Sequence, residues 1–534
     1  MDEKNSTKFN DKVKFARQYH WGWGLFALIL ASLACNMPLA PTTDATPIPA
    51  IVWWTNTPDP NATPVPAPVG ATAVPTATPT VSAIMASPTI APISLDTSPY
   101  FYYAQAGDTL SALAIRFDVR PEEITSPDPI PPTGLIPPGQ VLIIPRNLFN
   151  TISPQHILPD SELVFSASHA YFDVHTYIQN AGGYLSTYRE YLVSTGMTTG
   201  ADVVMRQAIE NSINPRLLLA LLEYRAGWVF GQPANEQQRL YPLGYVENYR
   251  DGLYQQLSKT IDDMSLGYYG WRNGNFTTLT FTDGGRARLA PDLNAGSVGL
   301  MYYFASHNDS ENWLQVTNIQ TGFPAVYERM FGSPWERAAT VEPLYPRSIF
   351  QPEMILPFAR GQQWVFTSGP HGAWNIKGAL AALDFAPSED EPGCSPSLKW
   401  VTASAPGLVV RSGNGVLVLD LDGDGLEQTG WALVYLHLSS EQRLPVGQWV
   451  ATGDLIGHPS CEGGRATGRH IHLARKYNGE WVLAAGPLPF TLSGWVAGPG
   501  PEPYEGTLTR DGVTIKNSVY GSSSAALIRS ANDP

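Results

Sequence analysis

The chain has 534 residues, a formal net charge of −14, and only 15% charged against 11% aromatic residues. That length exceeds what one hydrophobic core supports and calls for roughly three or four domains. The acidic balance excludes a general nucleic-acid binder or a protein spread over an anionic membrane, because either partner requires a basic face.

Residues 1–37 read as an export segment. Lys4, Lys8, Lys12, Lys14 and Arg17 precede the apolar run LFALILASLAC, which is too short for a comfortable membrane span and fits the core of a signal peptide. SLAC resembles the lipobox of bacterial lipoproteins, which implies lipidation of Cys35, with an uncleaved anchor as the alternative. The expected location is therefore extracytoplasmic, at the cell envelope, with membrane contact only through this anchor. Residues 38–100 are rich in Pro, Thr and Ala and nearly free of charge, so they sustain neither a helix nor a core and serve as an extended linker.

Residues 101–147 begin and end as short strands. Between them TLSALAIRF has helical spacing with Thr109 placed to cap it, and RPEEI has a proline-initiated start, so the order is strand, helix, helix, strand. Through GDTL and IPPGQVLIIP the stretch resembles a LysM module, a small βααβ unit. That resemblance implies recognition of N-acetylglucosamine-containing polymers such as peptidoglycan. It lays the sugar between the loop after the first strand and the loop before the last, at Gly107, Asp108, Thr109, Leu110, Ile136 and Pro137.

Residues 150–345 carry helical periodicity in SELVFSASHAYFDVHTYIQN and ADVVMRQAIENSINPRLLLALLEYRAGW, and a mostly α-helical domain is expected. INPRLLLALLEYRAGW weakly resembles the lysozyme-like transglycosylases and glucosaminidases, which would make Glu223 a glycosidase acid in an apolar setting. The sequence offers no convincing second carboxylate. The other reading is a helix-end glutamate in a packing domain.

From 346 to 505 the pattern alternates and breaks at Gly and Asn, so the region reads as an all-β antiparallel domain. In RHIHLA, His470 and His472 stand two apart, on one side of a strand; YLHL contributes His437, and SGPHGAWNIKGALAALDFAP contributes His371 and Asp384. A catalytic zinc needs three protein ligands and one open position. These motifs resemble the lysostaphin-type zinc endopeptidases and, within them, the β-lytic branch, where a histidine precedes an aspartate by thirteen residues and a His-x-His follows. The commoner branch places its first ligand four residues before the aspartate, where this chain has Leu380. The resemblance implies that His371, Asp384 and His472 hold Zn2+ while His437 and His470 act beside it as catalytic histidines.

Cys394 and Cys461 remain as a pair if Cys35 is lipidated, and in an exported protein a disulfide between them is expected. DLDGDGLEQTGW begins like a calcium loop at Asp420, Asp422 and Asp424, but Trp431 stands where the last ligand belongs, so an acidic hairpin tip is favoured over calcium. His458 reads as a loop residue. Residues 506–534 are expected to form a C-terminal tail with at most one further hairpin. The combined expectation is a monomeric, exported peptidoglycan endopeptidase. A glycan-cleaving enzyme using Glu223 and a non-catalytic wall-binding protein are the alternatives.

Overall fold

The computed structural model describes residues 98–388, 393–531 and 533, so the export segment, Cys35 and nearly all of the linker lie outside the described residues. No described helix is long and apolar enough to cross a membrane.

The first module pairs β1 (Tyr100–Tyr103) with β2 (Val141–Ile144) in antiparallel register, Tyr102 opposite Leu142, and lays α1 (Leu110–Phe117) across them. The Thr109 side chain accepts from the Ala112 amide at 3.2 Å, the cap that its position suggested. Pro121–Glu123 makes only a single 3₁₀ turn, shorter than the second helix expected. Leu113, Phe117, Ile136 and Leu142 close a small core.

The helical domain is built on α2 (Gly200–Asn211), α3 (Pro215–Ala226), α4 (Leu253–Arg272) and α5 (Ala295–Ala305). Asn214 caps α3 ahead of Pro215, and Gly227 ends it with φ +62°, the start and stop that the sequence spells. Two hairpins, Arg189–Leu192 with Gly196–Thr199 and Thr278–Thr280 with Arg286–Arg288, interrupt the helices.

The C-terminal domain is all-β apart from one 3₁₀ turn at Ser523–Ala525. Its main sheet uses β3 (Gln363–His371), β4 (Ala382–Pro387), β5 (Gly407–Gly413), β6 (Val416–Asp420), β7 (Trp431–Leu436), β8 (Trp449–Val450), β9 (Ile471–Tyr477) and β10 (Glu480–Trp481). A smaller sheet follows, made of β11 (Thr491–Leu492), β12 (Trp495–Pro499), β13 (Gly506–Arg510) and β14 (Val513–Lys516), before β15 (Ala526–Ile528) returns to the main one. The order of the main sheet is β8-β5-β6-β7-β9-β4-β3-β15, with β10 hairpinned onto β9. Residues 506–534 are thus not a tail: β13 and β14 complete the smaller sheet, and β15 pairs with β3, Leu527 opposite Trp364.

Both faces of the main sheet are buried, and the two-residue period of its strands sorts them. Leu383, Phe385, Leu417, Leu433 and Leu473 join the core of the β domain. Ala382, Val418, Val434 and Ala474 point the other way, into the core shared with the helical domain.

Candidate metal centre

His472 lies on β9 directly opposite Asp384 on β4, so the register alone brings an imidazole and a carboxylate together on one face. Both occupy the parity of Ala382 and Ala474, the face turned toward the helical domain. His371 reaches the same point from the end of β3, where two irregularities, between Phe366 and Ser368 and between Ser368 and His371, re-aim the strand. Gly369 permits this: a Cβ there would stand 2.4 Å from the Glu505 carbonyl carbon, because the 500–506 loop crosses the strand in direct backbone contact.

His371 Nε2 lies 3.0 Å from His472 Nδ1, and each is 3.2 Å from Asp384 Oδ1. The opposite ring nitrogens face carbonyls, which can only accept: His371 Nδ1 donates to Gly369 O at 2.8 Å, and His472 Nε2 donates to Ala373 O at 3.0 Å. A neutral imidazole carries one proton, so the two inward nitrogens are bare lone pairs converging on a carboxylate oxygen that is buried without a hydrogen-bond donor. Three buried acceptors within 3.2 Å of one another repel unless a cation sits among them. Two neutral imidazoles and one carboxylate are a donor set that suits zinc, and the residues present fit that ion.

Burial would raise the Asp384 carboxyl, but the imidazoles of His371 and His470 hold it well below the usual carboxylate range. Burial pulls His371 down, and the Asp384 charge more than reverses that, leaving it raised. His472 is lowered, chiefly by burial.

His437 and His470 stand beside the trio with their rings 4.5 Å apart. Each commits Nδ1–H to a carbonyl, Glu462 O at 2.9 Å and Gly468 O at 2.8 Å, which leaves Nε2 bare; that of His470 lies 3.7 Å from Asp384 Oδ2. His437 holds φ +69°, rare for a non-glycine residue, and Ser460 N and Oγ both donate to its carbonyl. Burial, with His470 and His472 adding to it, pushes its imidazole down to about 3.

Sequence reasoning missed Tyr504. Its ring stacks on His371 at 4.5 Å and 21°, its amide donates to Pro370 O, and it sits in the loop that Gly369 admits. The only signal was a lone aromatic in a turn-rich stretch, which nothing local connects to His371.

The other expected residues fall elsewhere. Cys394 and Cys461 are bonded, with Cα atoms 5.1 Å apart, bracing the loop that leads to His470. Glu223 Oε2 accepts the Val229 and Phe230 amides at 2.9 and 3.0 Å, which makes it a cap on the turn after α3. Asp108 is buried and takes Tyr102 Oη, Gln105 N and Arg116 Nη2, so its carboxylate braces the loop. Ile136 belongs to the module core, its amide donating to Asp108 O at 2.8 Å; Thr109, Leu110 and Pro137 are half-buried, and Gly107 is buried. Asp420, Asp422 and Asp424 cluster at the tip between β6 and β7, where Asp420 accepts the Asp422, Gly423 and Gly425 amides. His458 pairs with Lys399 O and Gln442, away from the centre.

A sheet-borne trio of two histidines and an aspartate stands beside two more histidines, in a chain that also carries a helical domain and a LysM-like module. Residues 102–145 match the family model described as LysM domain, and residues 156–344 match that of LasA, N-terminal domain. Protease LasA of Pseudomonas aeruginosa (strain UCBPP-PA14) is 26% identical over 292 residues, 52% of this chain and 65% of that protein. Beta-lytic metalloendopeptidase of Achromobacter lyticus is 29% identical over 161 residues, 28% of this chain and 39% of that protein. Among solved structures, the M23 metalloprotease pseudoalterin from the deep sea is 22% identical, matched over 31% of this chain and 96% of its own, with a TM-score of 0.26. The chain spans less than two thirds of the length of these curated relatives. It is a LysM-containing relative of the LasA and β-lytic peptidases.

Proposed function

We propose that the protein is a zinc-dependent endopeptidase that cleaves peptide bonds in peptidoglycan stems or cross-bridges and is held on glycan by its LysM module. It acts as a monomer outside the cytoplasm, tethered through Cys35. The observation that carries the chemistry is the convergence of His371 Nε2, Asp384 Oδ1 and His472 Nδ1 within 3.2 Å in a buried site, with the opposite ring nitrogens turned to the Gly369 and Ala373 carbonyls. Zinc held by these three atoms would polarise a peptide carbonyl and acidify water. Around it, the chain's own groups orient and move protons. Gly369 O and Ala373 O fix the ligand tautomers. His437 and His470 present bare Nε2 atoms that can accept a proton and return it to the leaving amine. Tyr504 walls the His371 side and keeps that ring in place.

Glu223 supports the glycan-cleaving alternative poorly, since its carboxylate is spent on two backbone amides. Purified exported protein incubated with peptidoglycan should release new amino groups and not reducing sugar ends, and a zinc chelator should stop the release. His472→Ala should lose zinc and lower hydrolysis by more than the roughly 10–100-fold that a lost supporting contact costs. Full activity in that variant, or chelator-resistant reducing ends, would remove the proposal.

A further inference from the structure

The disulfide between Cys394 and Cys461 joins a loop that follows β4 to a loop that precedes β9, and the residues flanking its two halves carry the backbone bonds that fix His437 and His470. On the Cys461 side, Ser460 N and Oγ donate to the His437 carbonyl at 2.7 and 3.0 Å, and Glu462 O accepts from His437 Nδ1 at 2.9 Å. Ser460 also forms an antiparallel bridge with His470. On the Cys394 side, Gly393 O and Ser395 O accept from Arg469 N and Nη1 at 2.8 and 2.9 Å, and Arg469 immediately precedes His470. Gly468, one residue further back, supplies the carbonyl that takes His470 Nδ1.

The metal trio is held by other means. His371 Nδ1 and His472 Nε2 donate to Gly369 O and Ala373 O, and Asp384 faces His472 within the ladder of β4 and β9, so neither carbonyl belongs to the two linked loops. His437 needs its clamp for a further reason. Its φ of +69° is a conformation that a residue with a side chain keeps only where its surroundings over-determine it, and Ser460 and Glu462 do so from either side of Cys461. Cys394 is exposed and Cys461 half-buried, which leaves the S–S bond within reach of a dissolved reductant.

We propose that the Cys394–Cys461 disulfide is a positioning brace for the pair His437 and His470, which makes hydrolysis, but not metal binding, depend on the oxidised state. The inference rests on the reading of these two histidines as proton carriers and goes beyond it, since it names what keeps them in register. An external dithiol breaks the S–S bond by exchange: its two thiols become one disulfide, and their protons end on the Cys394 and Cys461 sulfurs. Two rings that stand 4.5 Å apart then lose their common frame. In an exported protein the bond forms outside the cytoplasm, so full activity follows oxidation there.

The test compares the oxidised full chain, the same chain reduced with a trialkylphosphine, and the double variant Cys394→Ser with Cys461→Ser. The phosphine carries no thiol to take zinc, and it becomes its oxide with oxygen from water as the two cysteine thiols form. Kinetics on a soluble cross-linked muropeptide, zinc content and hydrogen exchange read by mass spectrometry are followed well below the unfolding midpoint, because losing a cross-link also lowers stability. In the reduced chain and the double variant kcat should fall by roughly 10- to 100-fold, with KM and zinc content unchanged and faster exchange confined to residues 437–440 and 458–470. Reoxidation should restore the wild type and leave the double variant low. Unchanged kcat in the reduced chain would overturn the brace. Zinc lost in step with kcat would also overturn it, by making the bond a support of the whole centre. The reduced wild type keeps the test decisive if the double variant does not fold. An oxidised chain that cleaves nothing would remove the peptidase reading; exchange then decides the brace, confined quickening supporting it and unchanged exchange overturning it.

Discussion

Each of the four histidines around the metal centre hands one ring proton to a backbone carbonyl, and that repeated arrangement decides what the opposite nitrogen can do. For His371 and His472 the opposite nitrogen stands 3.2 Å from the Asp384 carboxylate, as the proposed ligand role requires; that of His470 stands farther off, at 3.7 Å, and the His437 ring lies 4.5 Å from the His470 ring, as the proposed proton-carrying role requires. His437→Gln should therefore lower kcat by roughly 100-fold or more with zinc content unchanged. Metal analysis beside steady-state kinetics checks it, and concurrent loss of zinc would make His437 a ligand instead. The five candidate residues, His371, Asp384, His437, His470 and His472, could be picked out because each sits in a short motif, and the fold brings them together. Tyr504 was not, since it reaches His371 only through the backbone crossing at Gly369, a contact between segments more than a hundred residues apart.

At the level of strands, the centre depends on registers that the pattern of alternation predicts only in part. The pairing of Asp384 with His472 follows from ordinary antiparallel geometry, whereas the irregularities in β3 that deliver His371 have no local sequence signature. Strand β9 also needs a partner for Lys476, which is fully buried. Glu427 supplies it, bonded to Lys476 Nζ at 3.0 Å and to Arg411 at 3.0 and 2.9 Å. Burial would raise this carboxyl, but the two cations lower it from 4.5 to about 2. A depressed carboxyl contributes stability that is present above its ordinary value and lost as pH falls through its folded value. The window here is about pH 4.5 to 2, and the contribution is on the order of 3 kcal/mol. Glu427→Gln should be less stable than wild type by about that amount at pH 7, with the gap closing toward pH 2. Denaturant unfolding across this range measures it, and a gap that stays constant with pH would contradict the assignment.

Across the whole molecule, Arg272 at the end of α4 joins all three described domains. Its Nη2 reaches Asp160 Oδ2 at 3.0 Å, Tyr268 Oη at 2.8 Å and Glu480 Oε2 at 2.9 Å, and the guanidinium packs on Gly107 of the module. Glu480 sits on β10, the hairpin partner of the ligand strand. Burial, opposed by Arg272 and aided by Asp160, pushes its carboxyl up to about 7. A raised carboxyl stabilises the fold below its ordinary value and loses that contribution as pH rises through about 7. Arg272→Leu leaves two buried carboxylates without their cation and should destabilise the chain by about 3–5 kcal/mol, most strongly above neutral pH. Adding Glu480→Gln should recover part of the loss, and equal unfolding midpoints for the single and double variants would sink the account.

The sequence by itself determined the capped helix of the LysM module, the β character of the C-terminal domain and the choice of His371, Asp384 and His472 as the candidate metal-binding group. Each of these is written in neighbouring residues or in a spacing along one chain segment. Only the tertiary structure decided that residues 506–534 close the sheets, that the alternate face of the main sheet is buried against the helical domain, and that Arg272 and Tyr504 touch what they touch. Those outcomes rest on which surfaces meet. A strand with both faces apolar demands cover on each side, but its own residues do not say which distant segment provides it.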